Sequence, residues 1–218
     1  MKKYLPMIFC FLFFALFITW SILVGNNVLN NVDNNIVSFV VSFRGEKYGA
    51  IYWISRIITE LGFVYVMIFI FVLFFIFSRI NIYSLILSLG TLTNYLANFI
   101  VKIIVRRPRP LEEFRWMSES SFSYPSSHTM CSTFLYGFLA YIIYKSNLKN
   151  KYKYPLMILS ILVIFIVGFS RIILSVHYFS DVVGGFLFGV SFVMLSIILD
   201  NYLSSKNIDS FKSLIKKN

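Results

Sequence analysis

Long apolar runs separated by short polar breaks make up most of this chain. The runs are Met7–Val24, Leu61–Phe77, Ser84–Val105, Thr129–Tyr144, Tyr154–Arg171 and Asp181–Tyr202. Crossing a bilayer core takes about 20 mostly apolar residues per helix. The pattern therefore predicts an all-α, integral-membrane six-transmembrane-helix bundle, with residues 1–218 forming a single membrane domain. The first run follows Lys2-Lys3 as a signal peptide would. It is long for a cleaved segment and no small-x-small site follows it, so it is read as a retained span. Between the first two runs lies a polar, Asn-rich stretch from Gly25 to about Glu60. Within it Val37, Val40, Val41 and Phe43 predict a short amphipathic helix on the membrane surface, with a partner-binding loop as the alternative.

Composition agrees with this class. The chain is 58% hydrophobic and 19% aromatic, with a mean hydropathy of +0.78, which is too apolar for an ordinary soluble domain. A net charge of +11 and a pI near 9.7 would point to nucleic acid in a soluble protein. Here no basic stripe interleaved with aromatics stands outside the runs, and lysine follows the positive-inside rule. With the N-terminus in the cytoplasm, ten of the twelve lysines fall on the inner side, leaving Lys47 and Lys102 outside. Seven of the eight arginines fall outside, clustered at Arg106, Arg107, Arg109, Arg115 and Arg171. The expected topology has both termini cytoplasmic, and loops 102–128 and 170–181 on the outer face of the cell membrane. Nucleic acid is not an expected partner; membrane lipids are, and the basic tail from Lys206 fits contact with anionic lipid. Cys10 and Cys131 lie towards opposite faces on this topology, which argues against a disulfide.

The candidate chemistry sits in three short segments on that outer face. Lys102 ends the third run and is followed by Arg109-Pro110. Asn94 and Asn98 precede it at four-residue spacing on one helix face, where inter-helix hydrogen bonding is the favoured reading. Arg109 offers a planar fork of donors suited to phosphate oxygens. Arg106 and Arg107 are expected to meet headgroups, or Glu112 and Glu113. Next comes Pro125-Ser126-Ser127-His128, where Ser serves as a helix N-cap and free N–H groups at a helix start bind anions. Finally Ser170-Arg171 is followed by His177 and Asp181 at i and i+4 on one helix face. A carboxylate on one imidazole nitrogen fixes the tautomer and leaves the other as nucleophile or base. The pair could instead ligate a metal. Only two histidines exist, there is no ligating cysteine pair, and the surroundings are cationic, so no metal and no cofactor is expected. Gly185 and Gly189 form a small-xxx-small pair, read as helix packing.

Together the three segments resemble the signature of the type 2 phosphatidic acid phosphatase superfamily of lipid phosphate phosphatases, in its bacterial integral-membrane branch. That signature reads Lys-x6-Arg-Pro, Pro-Ser-Gly-His and Ser-Arg-x5-His-x3-Asp. The first and third are matched in full; in the second, Ser127 replaces the usual Gly. The first outer loop, with Asp33, Arg44 and Leu61-Gly62, is similar in spacing. The resemblance implies a metal-independent hydrolase acting on a lipid phosphate or diphosphate, such as undecaprenyl pyrophosphate, phosphatidylglycerophosphate or phosphatidate. By resemblance His177 attacks phosphorus to give a phosphohistidine, Asp181 orients it, and His128 protonates the leaving group. Lys102, Arg109 and Arg171 would bind the phosphate with Ser126 and Ser127, and Ser170 would contribute less. A phosphotransferase with the same site is the nearest alternative. A non-catalytic protein that binds or transports a lipid headgroup is the other. No feature of the sequence sets an oligomeric state.

Overall fold

The computed structural model of the chain describes residues 4–62, 65, 69, 72 and 82–206. Among these residues there are seven α-helices and no strand: α1 (Leu5–Gly25), α2 (Asn30–Phe43), α3 (Ala50–Glu60), α4 (Ile82–Val105), α5 (Ser127–Lys145), α6 (Asn150–Ile173) and α7 (Phe179–Ser205). Four of them, α1, α4, α6 and α7, are long and apolar enough to cross a membrane. The count of six spans is thus not reproduced. Apart from Leu61, Gly62 and isolated positions, the run Leu61–Phe77 lies outside the described residues. The run at Thr129–Tyr144 is a helix, α5, but its first half carries Ser127, His128, Thr129, Ser132 and Thr133, and it falls short of a span by composition. Its position explains its polarity. It is the central helix, packed against α4, α6 and α7, so little of it needs to suit lipid.

The outer surface inverts the usual rule for soluble proteins. Phe11, Phe99, Ile104 and Phe165, on α1, α4 and α6, are more than half exposed. An apolar exterior of this extent is what a lipid solvent requires. The interior holds polar groups instead, including Asn94, Asn98, Thr133, Ser160 and Asp200. At one end of the bundle Tyr141 and Lys145 donate to Asp200 Oδ2 at 2.6 and 2.7 Å, joining the C-terminal ends of α5 and α7. At the other end Trp20 Nε1 donates to the Ser180 carbonyl at 2.9 Å, joining the end of α1 to the start of α7. The described chain therefore begins and finishes at one end, and the three motif segments gather at the opposite end.

Helices approach α5 closely because their facing positions are glycines. A Cβ on Gly90 of α4 would stand 2.2 Å from the Phe134 ring. One on Gly189 of α7 would stand 2.5 Å from Thr133 Cβ and 2.8 Å from the Met130 carbonyl, and one on Gly185 2.7 Å from the Ser126 carbonyl. The Gly185/Gly189 pair thus packs α7 against α5. Gly184 faces the other way, against the ring of the fully buried Tyr124, whose hydroxyl lies 2.9 Å from Ser21 Oγ of α1.

The Asn-rich stretch holds two helices, not one. Asp33, Val37 and Val40 form the buried face of α2, whereas Phe43 is exposed. A carboxylate on the inward stripe is what an apolar pattern would not predict. α3, which packs on α6, was not anticipated.

Gly189→Val is expected to destabilise the bundle by roughly 1–3 kcal/mol through overpacking against backbone. Gly25→Ala, with nothing within 4 Å of its Cβ, is expected to change stability by less than about 0.5 kcal/mol. Thermal unfolding of both variants in detergent checks the contrast; equal melting temperatures would refute it.

Candidate active site

The site is built where α4 and α6 end and α5 and α7 begin. α4 stops at Val105, where Arg106 takes a left-handed conformation (φ +49°) and its side-chain Nε donates to the Ile103 carbonyl at 2.9 Å. Pro108 and Pro110 then keep the chain extended. This turn sends Arg107 inward. Its Nη1 donates to Asp181 Oδ1 at 2.7 Å and to Ser180 Oγ at 2.6 Å; its Nη2 donates to Asp33 Oδ2 at 2.6 Å. The guanidinium also lies 4.3 Å above the Tyr178 ring. The expectation that Arg107 meets headgroups or Glu112 and Glu113 is therefore corrected: it bridges two buried carboxylates. Burial alone would lower its pKa, but Asp181 and Asp33 outweigh that and raise it.

Asp181 is held on every side. Besides Arg107, its Oδ2 accepts from Ser123 Oγ and, at 2.8 Å, from the Tyr178 N–H. It stands in the first turn of α7, where a helix N-terminus favours negative charge. His177 Nδ1 lies 3.4 Å from Asp181 Oδ2 and 3.4 Å from Ser123 Oγ. His177 Nε2 lies 3.3 Å from Arg109 Nη1, an obligate donor. These surroundings select the tautomer with the proton on Nδ1 and a lone pair on Nε2. Burial, then the charges of Arg109, Lys102 and Arg171, hold the His177 pKa well below its ordinary value. Both effects favour the neutral form of the ring.

His177, His128, Arg109, Arg171 and Ser127 line one cavity of about 200 Å³. Segments far apart in sequence are thus brought to one place. Arg109 is braced by the Ser121 and Val176 carbonyls, each at 2.7 Å. Arg171 is fully buried and donates to Thr59 Oγ1 at 2.9 Å. Ser127 Oγ donates to Asn98 Oδ1 at 2.6 Å, and Asn98 Nδ2 donates to the Pro125 carbonyl at 3.2 Å. The asparagines of α4 are therefore inter-helix hydrogen-bonding groups, with Cys131 Sγ 3.5 Å from Asn94 Oδ1. Two predicted phosphate contacts stand back from this cavity. Ser126 is the N-cap of α5, its Oγ accepting from Thr129 Oγ1 at 3.0 Å. Lys102 donates to the Phe122 carbonyl and, at 3.2 Å, to that of Ser123; it lines an adjoining cavity that shares Arg109.

Sequence reasoning missed Glu119. Its carboxylate lies in the main cavity, accepting from Arg171 Nη2 and standing 3.7 Å from Arg109 Nη2. It also missed Ser123 and Thr59. None of the three lies in a motif, so spacing carries no trace of them. Among the described residues no three His, Cys, Asp or Glu side chains converge as a metal site would require.

Residues 82–204 match the family model described as PAP2 superfamily. Phosphatidylglycerophosphatase B of Bacillus subtilis (strain 168) is 36% identical over 99 residues, 45% of this chain; the match spans about half, 48%, of that protein's length. A crystal structure of a transmembrane PAP2 type phosphatidylglycerolphosphate phosphatase from Bacillus subtilis is similar with a TM-score of 0.78 at 27% identity. That similarity covers 92% of this chain and 98% of that one.

Replacing Arg107 by Met should strand two buried carboxylates, at a cost of roughly 3–5 kcal/mol. Adding Asp33→Asn should recover part of the loss. A double-mutant cycle on thermal stability measures this coupling, and additive losses would count against the bridge.

Proposed function

This chain belongs to the PAP2 superfamily, and from that premise we propose that it is a membrane phosphatase hydrolysing lipid phosphates through a phosphohistidine. The observation that carries the reading is His177. Its Nε2 lone pair faces a cavity lined by two arginines and a second histidine, while its Nδ1 is turned to a fixed carboxylate. Nucleophilic catalysis needs a lone pair on the reacting nitrogen and a base-oriented ring behind it. Phosphoryl transfer needs little else beyond positioning and charge neutralisation.

The proposed steps balance as follows. Nε2 of His177 forms a bond to phosphorus as the bond to the leaving oxygen breaks. His128 gives that oxygen a proton: burial and the neighbouring cations lower its pKa at rest, and the negative charge of the bound phosphate is what favours the protonated ring in the complex. Asp181 stabilises the positive ring. Water then attacks phosphorus, His128 takes its proton, and the N–P bond breaks to release inorganic phosphate. Arg109 and Arg171 hold the non-bridging oxygens with Ser127, while Lys102 and Ser126, set back from this cavity, contribute from behind, Lys102 by its positive charge and Ser126 by capping α5. No metal or cofactor takes part. Both relatives are named for phosphatidylglycerol phosphate, which favours that substrate class; undecaprenyl pyrophosphate and phosphatidate share its chemistry. The lysine distribution and the placing of the motifs at one end support cytoplasmic termini and an outward-facing site.

Detergent-purified protein is expected to release phosphate from at least one of these three lipids in EDTA, and His177→Ala to lose at least roughly 10³-fold in rate while remaining folded. Intact right-side-out vesicles should hydrolyse substrate added outside. Activity surviving in the variant would sink the phosphohistidine, and metal-restored activity would sink the metal-free mechanism. Transfer to an acceptor other than water would identify a phosphotransferase.

Because burial and neighbouring cations hold the His177 pKa down, the nucleophile stays unprotonated well below pH 6.5. The acid limb of kcat/KM is therefore expected below that pH. Arg109→Gln removes one of the depressing charges, stabilises the imidazolium and should move the limb upward. A limb at or above 6.5 in the wild type, or a downward move in the variant, contradicts this electrostatic account.

A further inference from the structure

The cation cradle of the cavity already holds an anion, and it belongs to the chain itself. One Glu119 oxygen accepts from Arg171 Nη2; the other stands 3.7 Å from Arg109 Nη2. A carboxylate with one oxygen on each of two guanidinium groups takes the place that two non-bridging phosphate oxygens would take. Glu119 sits in the same cavity as His177 and His128. We propose that Glu119 is a tethered competitor that occupies the phosphate seat at rest and must leave before a phosphate group can bind. The inference rests on reading this cavity as a phosphate site.

Three further observations support the exchange. The first is anchoring. Trp116 N donates to the Leu174 carbonyl at 3.0 Å, and its ring lies 4.2 Å from the Arg44 guanidinium. On the other side Arg109 holds the Ser121 carbonyl. Glu119 lies between these anchors in a stretch with no regular secondary structure, and its side chain is 24% exposed. It can swing towards water without disturbing a helix. The second is charge. Arg109 and Arg171, the two guanidinium groups that hold Glu119, carry two positive charges. A phosphate dianion seated beside Glu119 would set three negative charges against those two. With Glu119 moved out into water, the dianion matches the pair. The third is satisfaction. Arg171 Nε is buried without a hydrogen-bond partner among the described residues, so the resting carboxylate does not use all that this cation offers.

A tethered anion acts at an effective concentration set by its short loop, and apparent affinity for the incoming anion falls by the fraction of time the seat is open. Glu119→Gln removes the charge and keeps the shape. The experiment is direct binding of orthovanadate and of inorganic phosphate to detergent-purified full-length protein, by calorimetry, beside the variant. Binding in the variant is expected to be roughly three- to tenfold tighter for both probes. Unchanged or weaker binding would overturn the proposal, because Glu119 would then be a brace that keeps Arg171 in position. Glu119→Asp, too short to reach both cations, gives the same comparison with a smaller gain if the glutamine variant does not fold. Because the readout is binding, it is separate from turnover. Tighter anion binding without lipid hydrolysis keeps the competitor and rejects the phosphatase. No binding of either probe to any form rejects the phosphate seat itself.

Discussion

Arg107 carries two buried carboxylates, and the geometry of the site hangs on that bridge. Asp33 comes from α2 and Asp181 from α7, and each is at most 1% exposed. Taking a carboxylate out of water inside a membrane bundle costs several kcal/mol unless a cation and hydrogen bonds compensate. Arg107 supplies the cation; the Ser180 hydroxyl donates to Asp33, and the Ser123 hydroxyl and the Tyr178 N–H donate to Asp181. Because Asp181 is neutralised from behind, it stays an acceptor in front, and the His177 ring is fixed by it. The same bridge ties the outer helix α2 to the bundle, with the Ser180 N–H donating to Asp33 Oδ1 at 3.0 Å. Support of His177 and attachment of the outer layer are one interaction.

The sequence made some of this legible. Helices that face lipid announce themselves, because an apolar run is required wherever there is no water. The predicted runs Met7–Val24, Ser84–Val105, Tyr154–Arg171 and Asp181–Tyr202 lie within α1, α4, α6 and α7, each short by a few residues. They stop short because α6 begins through Asn150-Lys151 and α7 through Ser180, polar residues that apolarity does not count as helix. The central helix was harder to classify. α5 is shielded from lipid by its neighbours, so its polarity reports on the site and hides its place in the bundle.

The motifs located the histidines and the arginine pair, since a helix repeat places His177 and Asp181 on one face from spacing alone. They could not assign partners. Asp33 and Arg107 are 74 residues apart, and Thr59 and Arg171 are 112 apart. No periodicity links such pairs. The cluster of outer arginines reads as one patch in sequence, but in the fold its members part company.

What separates them is the partner each one finds. Arg107 is saturated by carboxylates, which fixes its charge and its position and makes it a structural cation. Arg109 is braced chiefly by backbone carbonyls of Ser121 and Val176. A carbonyl orients a guanidinium without cancelling its charge, so the charge of Arg109 is opposed chiefly by the Glu119 carboxylate 3.7 Å away. Arg171 lies between these cases: a hydroxyl, a carboxylate on a loop, and one nitrogen left over. A cation held by neutral oxygens is available to a ligand; one held by buried carboxylates is not. By that criterion Lys102, held by the Phe122 and Ser123 carbonyls, groups with Arg109 although it lines the adjoining cavity. Availability in this site is thus a property of the bracing groups, and the loop from Trp116 to Ser123 supplies most of them.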